Sequence, residues 1–165
     1  MKRRALLAAT GTMALTGIVA AIESETILTI SGRVGRINRP GDQTFVFTRK
    51  SFLQLRQSVI TTATSWTPVS VFVGPTVVDV MLEAGVDSGT LLFKTLDNNS
   101  VPIPWPDIVR YGVILAHTQD GRPLSTKRWG PLWTIYPRDQ HPDELKGPLA
   151  DSRFIWQIDE IQVQA

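Results

Sequence analysis

Apolar and polar positions alternate over residues 27–34, with Leu28 and Ile30 on one face, which predicts an opening strand. The turn Asn38-Arg39-Pro40-Gly41-Asp42 separates it from a second strand, Phe45-Val46-Phe47. Thr48 is placed to cap a short helix carrying Phe52, Leu53 and Leu55. Residues 58–63 are rich in β-branched side chains and read as a further strand. Pro75 suits a helix first turn and Gly85 a helix end. Between them Val77, Val78, Met81 and Leu82 form one apolar face at helical spacing.

The second half continues in the same style. Residues 90–96 predict a strand, Asp97-Asn98-Asn99 a hairpin turn, and residues 100–103 the returning strand. Pro106 opens a brief helical turn through Val109, and residues 113–117 form a strand entering the Asp120-Gly121 turn. Gly130-Pro131 launches a strand over residues 132–136, which Pro137 stops. The last strand, residues 154–163, changes phase: Phe154, Trp156 and Ile158 share one face, Ile161 and Val163 the other. That slip predicts either a bulge near Asp159-Glu160 or partial cover on both faces. The sum is an α+β domain, mostly β, with two or three short helices.

The chain of 165 residues suits one domain, but its first residues carry a different signal. Lys2, Arg3 and Arg4 precede an apolar run at residues 5–21 that ends in the small residues Val19-Ala20-Ala21. This is the pattern of a secretory signal peptide over residues 1–21, leaving residues 22–165 as a single domain. The run is shorter than the ~20 residues a bilayer span needs, so no transmembrane segment is expected after cleavage. A periplasmic location follows, by general or twin-arginine export, the latter suggested by Arg3-Arg4-Ala5-Leu6-Leu7.

Charge and composition exclude several roles. Removing Lys2, Arg3 and Arg4 from the 17 basic side chains leaves 14 against 15 acidic ones, a net charge of −1. No basic stripe speaks for a nucleic-acid partner. Cysteine is absent, so there is no disulfide, thiolate nucleophile or thiolate metal ligand. His117 and His141 stand apart without carboxylates at ligand spacing, and no G-x-S-x-G elbow occurs. Neither a catalytic nor a metal-binding residue is predicted.

The run GRPLSTKRWGPLWTIYP at residues 121–137, with SRFIWQIDEIQV at residues 152–163, resembles the sulfite-oxidase-like molybdopterin-binding domain family. That family carries "nG-x-PL … GPL-x-x-x-x-P" followed by "x-x-x-W-x-x-x-I-x-V", and the likeness extends over residues 27–163. It implies the family's mostly β fold and, in catalytic members, molybdopterin-dependent redox chemistry. Residues 71–85, VFVGPTVVDVMLEAG, likewise resemble the family's "F-x-G-x-x-L-x-D-L-L" helix start.

Catalytic members bind molybdenum through a cysteine at a strand end, commonly as Cys-x-x-x-Trp. The matching segment here, ITTATSW at residues 60–66, puts Thr62 four places before Trp66, with Thr64 as the rival position. A hydroxyl does not supply the softness of a thiolate. The family's Asn/Arg/His lead-in finds only residues 22–26. Its phosphate loop is matched by HPDELKGPLADSR at residues 141–153. The resemblance is therefore to a short, exported, cysteine-less branch, with Thr62, Lys146 and Arg153 as the cofactor-binding candidates.

Arg138 and Arg153 flank strand ends, where forked guanidinium groups can converge on an acidic ligand. The alternative is pairing with Asp139, Asp143 or Asp151, while Lys127 and Arg128 read as solvated charges. Trp66 and Trp129 lie in loops and are candidates to line a ligand cleft; Trp133 and Trp156 are expected in the core. The expected function is a cofactor-free, non-catalytic ligand-binding or sensory-accessory module. Its partner is a small anionic or aromatic ligand, or a periplasmic or membrane protein. The alternative is a molybdopterin-dependent oxidoreductase that keeps its cofactor with Thr62 or water in the thiolate's place.

Overall fold

A computed structural model describes residues 25–165, so the signal-peptide reading of residues 1–21 lies outside the described residues. In chain order the strands are β1 (Thr26–Gly32), β2 (Phe45–Thr48), β3 (Gln57–Thr62), β4 (Ser70–Pro75), β5 (Thr90–Thr95) and β6 (Ser100–Pro104). Then follow β7 (Ile114–Ala116), β8 (Thr118–Gln119), β9 (Arg122–Pro123), β10 (Trp133–Ile135) and β11 (Ile158–Gln164). Short helices stand at Arg49–Gln54, Val77–Glu83, Trp105–Tyr111 and Pro148–Asp151, with a 3-10 turn at Arg138–Gln140. This is the mostly β architecture expected, with the Pro148–Asp151 helix added to those the pattern announced.

The strands form three sheets. One has the order β2-β1-β11-β5-β6, with β1 and β11 parallel and its other neighbours antiparallel. A second runs β3-β4-β8-β9, and β7 pairs with β10 in a third. Leu28, Ile30, Phe47, Leu91, Phe93 and Ile161 bury one face of the first sheet; Phe72, Leu115, Trp133 and Ile135 continue the same core from the other two. Full burial of such side chains stabilises by about 1.5–3 kcal/mol each.

Gly74 sets how closely two of these sheets meet. A Cβ built there would lie 1.9 Å from the Leu115 carbonyl oxygen. Only glycine lets β4 run this close to β7, where the His117 N–H reaches the Val73 carbonyl at 2.9 Å.

Several expectations are corrected. Pro75 ends β4 rather than opening the helix; Thr76 is the cap, its hydroxyl accepting the Asp79 N–H at 3.0 Å. The buried face of that helix is Val77, Val80 and Met81, because Val80 stands one turn from Val77, and Leu82 is 49% exposed. The helix begun around Pro106 runs on to Tyr111, where Gly112 closes it in a left-handed conformation.

The terminal strand does not begin at Phe154. Gln157 has φ +57°, which breaks the extended backbone, and β11 starts at Ile158. The bulge read near Asp159-Glu160 is present as a register shift between Ile158 and Glu160, so that Ile158 and Ile161 are both buried. Among the described residues no helix is long and apolar enough to cross a membrane.

Candidate functional site

Three segments enclose a cleft of about 510 Å³. The β5–β6 hairpin supplies Thr95, Asp97, Asn99 and Val101. The Pro148–Asp151 helix and the segment after it supply Pro148, Asp151, Ser152, Phe154, Ile155 and Trp156. The loop after β3 contributes Trp66. The volume is within the ~300–1,000 Å³ of small-molecule sites.

Aromatic rings run from the cleft into the core. Trp66 meets Trp156 edge-on with ring centres 4.7 Å apart, and Trp156 meets Trp129 at 5.1 Å. Trp129 stacks on the fully buried Trp133 at 4.8 Å, and Trp133 abuts Phe72 at 5.5 Å. These edge-on and stacked geometries are the favoured ones for ring quadrupoles, and they brace the cleft wall against the core.

The loop carrying Trp66 is shaped by threonine hydroxyls. Thr64 Oγ1 accepts the N–H groups of Trp66 at 3.1 Å and Thr67 at 3.0 Å, and pairs with Thr67 Oγ1 at 2.9 Å. Such side-chain-to-backbone bonds build a turn in place of strand pairing. Thr62, wholly buried at the end of β3, accepts the Asp139 N–H at 3.2 Å, while Asp139 Oδ2 accepts the Ala63 N–H at 3.1 Å. The loop is thereby pinned to the 3-10 turn.

The basic residues near the cleft are held by carboxylates. Arg138 forms an ion pair with Asp151, and its guanidinium carbon lies 4.6 Å from the Phe154 ring centre. Ser65 donates to Asp151 at 2.6 Å and accepts from Arg138 at 3.0 Å. The Ser65 bond, then Arg138, holds the Asp151 carboxyl below its ordinary value. Arg153 pairs with Asp107 at 3.0 Å, and the Tyr136 hydroxyl donates to the same carboxylate at 2.9 Å. Burial first, then Asp107, pushes the Tyr136 phenol far above its usual range.

Of the residues singled out in the sequence, Trp66 lines the cleft. Trp129 stands behind Trp156, and Arg138 reaches the cleft through Asp151. Arg153 faces Asp107, and Lys146 pairs with Asp143 on the surface at 3.1 Å. Trp156, expected in the core, lines the cleft. Arg128 lies 5.1 Å above the Trp129 ring.

His117 Nε2 pairs with Gln57 Oε1 at 3.0 Å, and burial, then Arg49, lowers its pKa; His141 lies edge-on to Tyr111. Asp97 and Asn99 read in the sequence only as turn residues. Nothing local in Asp97-Asn98-Asn99 marks a cleft rim, because the rim arises from packing against the chain's far end.

No family model matches the sequence, and comparison with curated proteins gives no match either. Among solved structures, the crystal structure of the sulfane dehydrogenase SoxCD from Paracoccus pantotrophus is similar over 86% of this chain, with a TM-score of 0.60 and 15% sequence identity. The matched region is 38% of that chain, so this sequence spans well under half of it. The likeness is one of fold, and it agrees with the mostly β fold that the sequence resemblance implied.

The side chains present do not fit a molybdenum held by protein thiolate. Cysteine is absent, and the Thr62 and Thr64 hydroxyls are spent on backbone N–H groups. The two basic residues expected at a pterin phosphate are likewise occupied. Lys146 and Arg153 are engaged by Asp143 and Asp107, and none of Thr62, Lys146 and Arg153 lines the cleft.

Proposed function

We propose that this chain is an exported, periplasmic binding module on a molybdopterin-domain fold, without redox catalysis, whose cleft holds a small aromatic ligand against Trp66 and Trp156. One observation carries the reading: the cleft has a largely aromatic and aliphatic wall, while the arginines beside it are already paired internally. Of the two ligand chemistries expected from the sequence, this arrangement supports the aromatic one. An anion would have to compete with Asp151 for Arg138 and with Asp107 for Arg153. Trp66 is 38% exposed and the nearby Leu149 74%, so a periplasmic or membrane partner would meet apolar surface beside the cleft.

The test uses the full chain, expressed with its own N-terminus and recovered from the periplasmic fraction. Molybdenum is measured by elemental analysis and pterin by fluorescence after release, and 2-phenylethanol binding is followed by tryptophan quenching. The expected result is neither metal nor pterin, and saturable quenching that Trp66→Ala weakens about tenfold. Near-stoichiometric molybdenum would assign the chain to cofactor-bearing oxidoreductases instead. Retention in the cytoplasm with residues 1–21 attached would remove the export reading.

A further inference from the structure

We infer that the cleft selects organic cations: an ammonium group on an aromatic or aliphatic body, its charge at Asp97 and its body against Trp66 and Trp156. The inference rests on the aromatic-cleft reading and adds the sign of charge the cleft takes.

It follows from the charges on the wall. Among the described residues, Asp97 and Asp151 are the charged ones that line the cleft, with no lysine or arginine beside them in its wall. Asp151 is matched by Arg138. Asp97 has no cationic partner among the described residues. Its Oδ1 accepts the Thr95 hydroxyl and, at 3.4 Å, the Asn99 N–H, which fixes the carboxylate on the hairpin rim. Its Oδ2 carries no hydrogen bond among the described residues and is the acceptor left over.

The Thr95 bond above all keeps the Asp97 carboxyl below its ordinary pKa, so the charge persists into mild acid. The two indoles of the wall, Trp66 and Trp156, are compatible with this charge, because a ring quadrupole is negative over its face and favours a cation placed there. The cleft thus offers one uncompensated negative charge beside two tryptophans.

Three probes with a shared phenyl body and different charges test this on the full chain by calorimetry: phenethylammonium, 2-phenylethanol and 3-phenylpropanoate. Phenethylammonium is expected to bind about fivefold tighter than the alcohol at low ionic strength, with the gap narrowing as salt rises. The propanoate is expected to be the weakest. Asp97→Asn, which keeps an acceptor for Thr95, is expected to close the gap in affinity between the ammonium and the alcohol.

Equal binding of ammonium and alcohol would overturn the inference and leave the aromatic-cleft reading standing. So would a preference for the propanoate. A cation preference that survives Asp97→Asn would overturn the role given to Asp97. Absence of binding by all three would overturn both readings. The probe comparison on the unaltered chain does not depend on how the variant folds.

Discussion

Asp151 shows how one residue sets both the chemistry and the stability of the cleft. Its partner Arg138 is 16% exposed in its side chain and lies over Phe154, so removing the carboxylate leaves a largely desolvated guanidinium without its counter-charge. Asp151→Asn is expected to cost about 1–3 kcal/mol at neutral pH in urea unfolding. The pH dependence has a definite sign. The folded state lowers this carboxyl below 3.8, so its contribution is complete above that value and fades as pH falls through the lower, folded pKa. The gap between wild type and variant should therefore be flat above about pH 5 and close in stronger acid. A gap that stayed constant throughout the acid range would mean the ion pair is not its source. At this scale the sequence was half legible. Arg138 and Arg153 stood out beside strand ends, and Asp151 was among the possible partners. Asp107, which holds Arg153 from 46 residues away, was not, because only the packed sheets bring the two together.

At the level of elements, glycine separates two kinds of constraint that look alike in a sequence. At Gly74 the added methyl would meet Leu115 O at 1.9 Å and Ala116 Cα at 2.7 Å, both main-chain atoms that no rotamer change can move aside. Gly74→Ala is expected to destabilise by about 3 kcal/mol, roughly a 6–12 °C lower melting temperature for a domain of this size. At Gly112 the Cβ would meet nothing within 4 Å, and the cost is the left-handed backbone at φ +58° alone. Gly112→Ala should therefore cost about 1 kcal/mol. Calorimetric melting of the pair checks the order; a smaller loss at Gly74 would mean that β4 and β7 separate readily. The same distinction explains where pattern reading worked. The β5–β6 hairpin and the Thr48-capped helix follow from local alternation and capping chemistry. β4 was hidden because its apolar run flows into the helix through Pro75-Thr76. The start of β11 was hidden because the left-handed turn falls on Gln157, a residue type that does not advertise one.

For the molecule as a whole, the order β2-β1-β11-β5-β6 places the first described strand beside the last one, in the middle of the sheet. β11 is bonded on both sides, parallel to β1 and antiparallel to β5, and it buries Ile158, Ile161 and Val163. β11 therefore completes the central sheet, whereas the cleft is built from the hairpin, the segment just before β11 and the loop carrying Trp66. A chain ending at Gln157 keeps every residue that lines the cleft and loses the strand that joins β1 to β5. If folding is one cooperative unit, that truncation is expected to abolish the sigmoidal urea transition and, with it, binding of 2-phenylethanol. A terminal strand was legible in the aromatic and aliphatic run, though neither its central place nor its parallel pairing was, since alternation carries no information about which strand lies alongside. Circular dichroism and tryptophan fluorescence on the truncated chain settle the matter together. Loss of both transitions ties the cleft to the closed sheet. A retained fluorescence transition with the far-ultraviolet signal collapsed would instead make the aromatic chain from Trp66 to Phe72 an independently stable unit. In that case the cleft's affinity would owe nothing to the strand on which the fold depends.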